Sequence, residues 1–354
     1  MKKIISIVLG VAALAACTKT SVSYEQPGEI ALAPVTRANM TKAAITGTTF
    51  PTTNDMGVYA FYNTVDAGTS KENFLANSAA YLNNVKFINK TSSANWGGET
   101  SYYWPKTGSL VFAAYSPSSP ALSYAAGQDK FSKTDYVQSA DLARTVDLLW
   151  SPMTATSYDK GTAAVPMTFY HAMSWVTVQV VAANSDSHEK FKVKSVKLNG
   201  IVNKGSFETF GATINWTPSK LEADKQTLTV FSDNDNNYKV VEYPTAEKPA
   251  QALENVAKGT VVIPQDLNDV TLTVEFSQEM PTGAWSADQN LTFKLNECTT
   301  GDDPAAPLKK WDNGKHYIYT LNFNIKGATG ENEILIKPTL TNWENVTANG
   351  INAQ

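Results

Sequence analysis

Three histidines, two cysteines and one loop of spaced acids are the residues on which catalysis or metal binding would have to rest. His171, His188 and His316 sit in separate segments without a ligand-spaced neighbour, and none belongs to a His-Glu-x-x-His zinc motif. His171 lies inside the strand-like run Phe169-Tyr170-His171-Ala172-Met173-Ser174-Trp175 and reads as a sheet histidine with a hydrogen-bond partner. Asp233, Asp235 and Asn237 have the alternate spacing of a calcium loop, yet Tyr238 stands where glycine is needed and Pro244 where a bidentate glutamate is needed. Neither a Gly-x-Ser-x-Gly elbow nor a phosphate cradle ending in Gly-Lys-Ser/Thr is present. Two carboxylates from distant strands can meet as a glycosidase pair, but no local motif nominates one. The sequence therefore nominates no catalytic residue, no metal ligand and no cofactor, and the chain is read as a protein that is not an enzyme.

The cysteines tell more. Lys2 and Lys3 precede an apolar run from Ile4 to Ala16, shorter than the roughly 20 residues of a membrane-spanning helix and of the size of a signal-peptide core. Leu14-Ala15-Ala16-Cys17 sets small residues before a thiol and resembles the lipobox at which bacterial lipoproteins are cleaved and acylated. Residues 1–16 are thus expected to be a signal peptide, and acyl chains on Cys17 to anchor the protein to a membrane without spanning it. Cys298 is then a single thiol with no CxxC partner, so no disulfide framework supports the fold.

Stability must come from cores, and the composition permits them. The 354 residues are 42% hydrophobic and 18% charged, which excludes whole-chain disorder. A net charge of −4 lacks the basic footprint of a nucleic-acid binder. From Thr18 to about Met40 the chain is small and polar with Pro27, Gly28 and Pro34, and reads as a tether whose one strand-like alternation is Ile30, Leu32, Pro34. Strand-like runs then recur at 57–62, 109–115, 167–182, 191–198, 227–231, 260–264, 270–276, 291–295, 317–325 and 334–336. Val270, Leu272, Val274 and Phe276 alternate with Thr271, Thr273 and Glu275, the pattern of a half-buried antiparallel strand. Along 191–198 the apolar phase shifts, which predicts a bulge near Ser195. Only Ser78–Asn84 and Ala140–Leu149 read as short helices. The expectation is an all-β chain of two sandwiches, 38–185 and 186–354, behind a tether of residues 17–37. The aromatic cluster Trp96, Tyr102, Tyr103 and Trp104 reads as packing across a sheet edge.

Several segments in order carry a family likeness: the Cys17 leader, Thr36-Arg37 some 20 residues later, Met56-Gly57-Val58-Tyr59-Ala60-Phe61-Tyr62, Tyr103-Trp104-Pro105, Ala114-Tyr115-Ser116-Pro117, Asp147-Leu148-Leu149, Val262-Ile263-Pro264-Gln265, Gly314-Lys315-His316-Tyr317-Ile318-Tyr319, and Trp343 near the end. Together they resemble the fimbrillin-like family of Bacteroidales pilins. The resemblance implies two transthyretin-like (Greek-key) β-sandwich domains, export as a lipoprotein, and assembly with other fimbrial subunits on the outer membrane and cell surface. It also implies an Arg-specific protease that cuts downstream of the lipid and removes the first strand, opening a groove for a neighbour's strand. Arg37 and Ala38 match that processing site by position, and Ile30, Leu32 and Pro34 form the candidate removable strand. Pro34 cannot donate a ladder bond and must sit at a strand end or edge.

A stalk subunit must also donate a C-terminal strand, but only Val346 and Ile351 are large aliphatics after Trp343. The donor must therefore begin earlier, at Ile334, Ile336 and Leu340, or the subunit accepts a strand without passing one on, which inclines the reading to a tip or accessory role with a glycan or protein receptor. The alternative is a surface lipoprotein that binds glycan and never polymerises.

Overall fold

The computed structural model describes residues 28–36, 50–64, 75, 78–90, 95–157, 164–233, 238–246, 250–253, 259–298, 307–326 and 331–342. They form strands joined by loops and single 3-10 turns, so the chain is all-β. The first nine strands are β1 (Leu32–Thr36), β2 (Met56–Asn63), β3 (Ala79–Asn89), β4 (Trp96–Gly98), β5 (Ser109–Ser116), β6 (Ser123–Ala125), β7 (Lys130–Val137), β8 (Leu149–Ser157) and β9 (Val165–His171). Next come β10 (Ser174–Ala182), β11 (Phe191–Val202), β12 (Lys204–Phe210), β13 (Thr213–Pro218), β14 (Lys225–Ser232) and β15 (Lys239–Val240). The last six are β16 (Gln251–Ala252), β17 (Thr260–Val262), β18 (Thr271–Gln278), β19 (Gln289–Lys294), β20 (Lys315–Lys326) and β21 (Glu331–Asn342).

The first core is a sheet closed on itself in the order β1-β4-β3-β2-β5-β8-β9. Closure replaces the expected first sandwich with a barrel and removes the sheet's edges. Its central strand β5 is buried along its whole length because both faces are covered. Leu110, Phe112 and Ala114 face the barrel core, whereas Ala113 and Tyr115 join a second apolar cluster outside it. That double burial is why 109–115 reads as a continuous apolar run.

The second core lies between two sheets, β16-β10-β20-β21 with β17 on β10, and β14-β11-β18-β19 with β15 on β11. Val176, Val178 and Val180 of β10 and Tyr317, Tyr319, Leu321 and Phe323 of β20 meet Val193, Val196 and Leu198 of β11 and Leu272, Val274 and Phe276 of β18. Packing one sheet face on another makes this half a sandwich. The β11–β18 register shifts between Val193 and Ser195, where the apolar phase slips.

A third sheet, β13-β12-β7-β6, joins strands from both halves. Phe131 and Tyr136 of β7 pack in one cluster with Phe207 of β12, Ile214 of β13, Val261 of β17 and Ile263 just after it. Gln138, buried after β7, donates to Val146 O at 3.0 Å and Val261 O at 3.1 Å. β10 precedes the expected division at 185/186, yet it pairs with β16, β17 and β20. By strand pairing, the change from the first core to the second falls between β9 and β10, at Ala172-Met173, where the apolar run 167–182 bends from one sheet into the other.

Two helix expectations are corrected. Ser78–Asn84 enters β3, whose antiparallel pairing with β2 runs from Met56↔Phe87 to Tyr62↔Ala79 and outweighs weak local propensity. Ala140–Leu149 holds one 3-10 turn, Leu142–Arg144, with the Asp141 side chain accepting from Ala143 N.

Candidate functional site

The N-terminal strand is the part of the first barrel that closes it. Before β1, Ile30 N donates to Tyr102 O at 2.7 Å and Trp104 N to Gly28 O at 3.0 Å. β1 then runs parallel to β9 in the register Leu32↔Val165 through Thr36↔Phe169 and touches β4 at one pair, Leu32↔Trp96. Ile30 and Leu32 are 1% and 0% exposed and Pro34 is buried, while Ala31 and Ala33 between them are half-buried. Alternate residues therefore enter the core, each large aliphatic contributing about 1.5–3 kcal/mol by burial.

The phase of these bonds explains the proline. Val165 N donates to Ala31 O at 2.8 Å, which directs the peptide groups of Ala31, Ala33 and Val35 toward β9 in an evenly spaced parallel ladder. The nitrogens of Ile30, Leu32 and Pro34 point to the other side, where pairing with β4 has ended by Pro34. Pro34 thus occupies a strand position that loses no ladder bond.

The cavity that β1 fills is aromatic. Phe50 meets Trp96 edge-on at 5.3 Å and Phe169 at 4.9 Å, and Trp104 meets Phe112 edge-on at 5.8 Å. Trp96 and Trp104 are buried in the same cluster as Ile30 and Leu32, and Tyr102 packs against it. Tyr103 is exposed. The cluster expected at a sheet edge is therefore the wall beside the inserted strand. The Trp96 indole donates to Asn54 O at 3.0 Å. At the strand's entry Lys90 bonds Glu29 at 3.0 Å and, chiefly by that hydrogen bond, holds the Glu29 carboxyl below its usual range.

Reactive groups elsewhere are bound into structure. His171 Nδ1 meets Asp147 Oδ2 at 2.9 Å, both buried. Burial, with Glu297 nearby, pushes the Cys298 thiol up to about 11, so it is not a nucleophile at neutral pH. His316 is lowered to about 4 by burial. Among the described residues no group of three or more His, Cys, Asp or Glu side chains is arranged to hold a metal.

Cys17, Arg37, Ala38, Asp235, Asn237, Trp343 and the residues after it lie outside the described residues. Ile334, Ile336 and Leu340 lie in β21, in register with Phe323, Leu321 and Tyr317 of β20. The structure therefore brings Ile30, Leu32 and Pro34 together with the 96–104 aromatics, and sets the C-terminal candidates in the other half of the molecule. The alternation in residues 30–34 was readable from sequence. Their parallel pairing with β9, some 130 residues away, gave no local signal.

The likeness to known proteins agrees with this architecture. A fimbrillin-like family model matches residues 36–343. A fimbrial protein from Bacteroides vulgatus superposes with a TM-score of 0.54 at 18% identity, covering 81% of this chain and 92% of that one. A protein from Bacteroides uniformis provisionally assigned to cell adhesion superposes with a TM-score of 0.50 at 14% identity, covering 89% and 98%. At such identities these two share the fold. No curated protein matches by sequence. With the family model spanning most of its length, the chain belongs to the fimbrillin-like family.

Proposed function

We propose that this chain is a structural and adhesive subunit of a cell-surface fimbria, exported as a lipoprotein acylated at Cys17 and made competent for assembly by an Arg-specific cut between Arg37 and Ala38. The observation that carries the reading is β1 itself, a short parallel strand seated between β4 and β9 with Ile30, Leu32 and Pro34 buried. It ends at Thr36, one residue before Arg37. A cut after Arg37 leaves the strand held by noncovalent contacts alone, so a neighbour's strand can take its place. Main-chain hydrogen bonds then supply continuity, and alternate side chains entering the aromatic wall supply specificity. The cell-surface fimbrium is the matching location, with the outer membrane anchoring the lipidated precursor.

The C-terminal half bears on position within a fimbria. Ile334, Ile336 and Leu340 would have to leave twelve register pairs with β20 to serve a neighbour. That favours a tip or accessory subunit, which accepts a strand without donating β21, over a stalk subunit.

The test is cleavage of the lipid-free chain by an Arg-specific protease, followed by N-terminal sequencing and incubation with a labelled peptide of residues 28–36. A new terminus at Ala38 and incorporation of the peptide are expected, with Arg37→Ala remaining uncut there and taking up none. An uncut Arg37 in native protein, or a cut chain that incorporates no peptide, sinks the strand-exchange reading. Self-ladders on a gel after cleavage would shift the position from tip to stalk.

A further inference from the structure

Outside the β1 groove, the sheet edges decide where another chain can attach, because an unpaired edge is a template for strand pairing. Most edges among the described strands are blunted. β6, β15, β16 and β17 hold two or three residues, β13 ends in Pro218, and β21 carries Pro338. β14 breaks register twice against β11. β19, at the other end of the sheet β14-β11-β18-β19, is different. It keeps one register with β18 from Thr271↔Lys294 to Phe276↔Gln289, and residues 289–293 include no proline and no charge.

The edge is also uncovered. Gln289, Asn290, Thr292 and Lys294 are exposed. Leu291 stands opposite Val274 and so shares the face that packs on the other sheet, yet it is 39% exposed. Phe293, on the same face, is half-buried against the core. An apolar strip therefore runs beside the open edge.

The phase of the hydrogen bonds tells which backbone groups are free. Leu295 N donates to Val270 O at 3.0 Å, and opposite residues of an antiparallel pair alternate between bonded and non-bonded. Phe293, Leu291 and Gln289 are thus committed to β18, whereas Asn290, Thr292 and Lys294 turn their N–H and C=O groups outward. The Thr273 and Thr292 hydroxyls lie 2.9 Å apart, the close side-chain approach of a non-bonded pair, in keeping with that phase.

With this phase β19 complements itself. Turned about a two-fold axis at Leu291, two copies run antiparallel with Asn290 of each opposite Thr292 of the other, and free N–H groups meet free C=O groups in both pairs. The two Leu291 side chains meet at the axis, and Lys294 at the end of β19 stands opposite Asp288 of the second copy, just before its β19. Moving the axis to Asn290 or Thr292 keeps the bonds but takes Lys294 away from that carboxylate.

We propose that β19 is a lateral docking edge for a second copy of this chain, joining their β14-β11-β18-β19 sheets across a two-fold axis at Leu291. The contact leaves the β1 groove untouched and does not depend on strand exchange. So short an edge gives a weak contact, which copies held side by side on a surface would multiply.

The test is sedimentation of the uncut, lipid-free chain from micromolar to millimolar concentration, with cross-linking through introduced cysteines. A concentration-dependent dimer is expected. It should be weakened at least about tenfold in Leu291→Lys, which sets like charges at the axis, and in Thr292→Pro, which removes an outward N–H that its own sheet does not use. In a Cys298→Ser background, Leu291→Cys should cross-link to itself on oxidation at least about tenfold faster than Asn290→Cys or Thr292→Cys, whose counterparts lie diagonally across the axis. A monomer at every concentration, a dimer unaffected by both substitutions, or faster cross-linking through Asn290→Cys or Thr292→Cys overturns the proposal. A chain that dimerises but takes up no β1 peptide loses only the assembly mechanism, and one that takes up the peptide but stays monomeric loses only this edge.

Discussion

His316 lies flat against the Trp175 indole, with ring centroids 3.3 Å apart and planes 6° apart, and its Nε2 is 2.8 Å from Thr177 Oγ1. Burial lowers its folded pKa to about 4 from an ordinary 6.5. Between those values the unfolded chain takes up a proton that the folded chain refuses. The stability this neutral ring contributes is therefore complete above pH 6.5 and lost as pH falls toward 4, a swing of about 3 kcal/mol. In His316→Gln, urea titrations should show a flatter loss of stability across that window. An unchanged pH slope would mean that another group governs it. Burial in a different part of the fold acts on Cys298 as well, raising its thiol pKa to about 11, and neither effect is visible in the sequence.

Hydrogen-bond phase makes a sharper prediction for the β1 strand. Ala33 directs its peptide group toward β9 and Pro34 does not, so moving the imino acid by one residue should matter. Pro34→Ala is expected to change stability by under about 1 kcal/mol, whereas Ala33→Pro removes a buried ladder bond at a cost of about 1–3 kcal/mol. Chemical denaturation of both variants checks this, and equal effects would mean the strand is not held by its ladder to β9. Sequence reading was strongest for elements like β18 and β20, where a single buried face imposes strict alternation. It failed for β3, β7, β12 and β13. They bury few side chains and expose Tyr81, Val137 and Phe210, which blurs the alternation, and the β12–β7 pairing joins partners far apart in the chain, as in Lys204↔Val137 and Phe207↔Lys133. For the candidate site, the apolar triplet 30-32-34 was legible, but the closed barrel it completes was not, because closure is a property of seven strands together.

For the whole molecule, the sheet β13-β12-β7-β6 couples the two cores through backbone pairing and a shared apolar cluster. Trp150 of the barrel donates to Gly211 O at 2.9 Å in the β12–β13 turn, and Gln138 ties Val146 to Val261. Calorimetry is therefore expected to give one unfolding transition. Gln138→Ala, which leaves buried carbonyls without their donor at about 1–3 kcal/mol, should lower its midpoint and broaden or split it. Two separate transitions in the unaltered chain would show that the cores fold independently. The joint has a mechanical consequence too. A hinge between the cores would have to break strand pairs as well as separate side chains, so each subunit resists bending along its own length. In a filament assembled by the proposed strand exchange, compliance under fluid drag would be concentrated at the contacts between neighbours, where a single exchanged strand would bear the load.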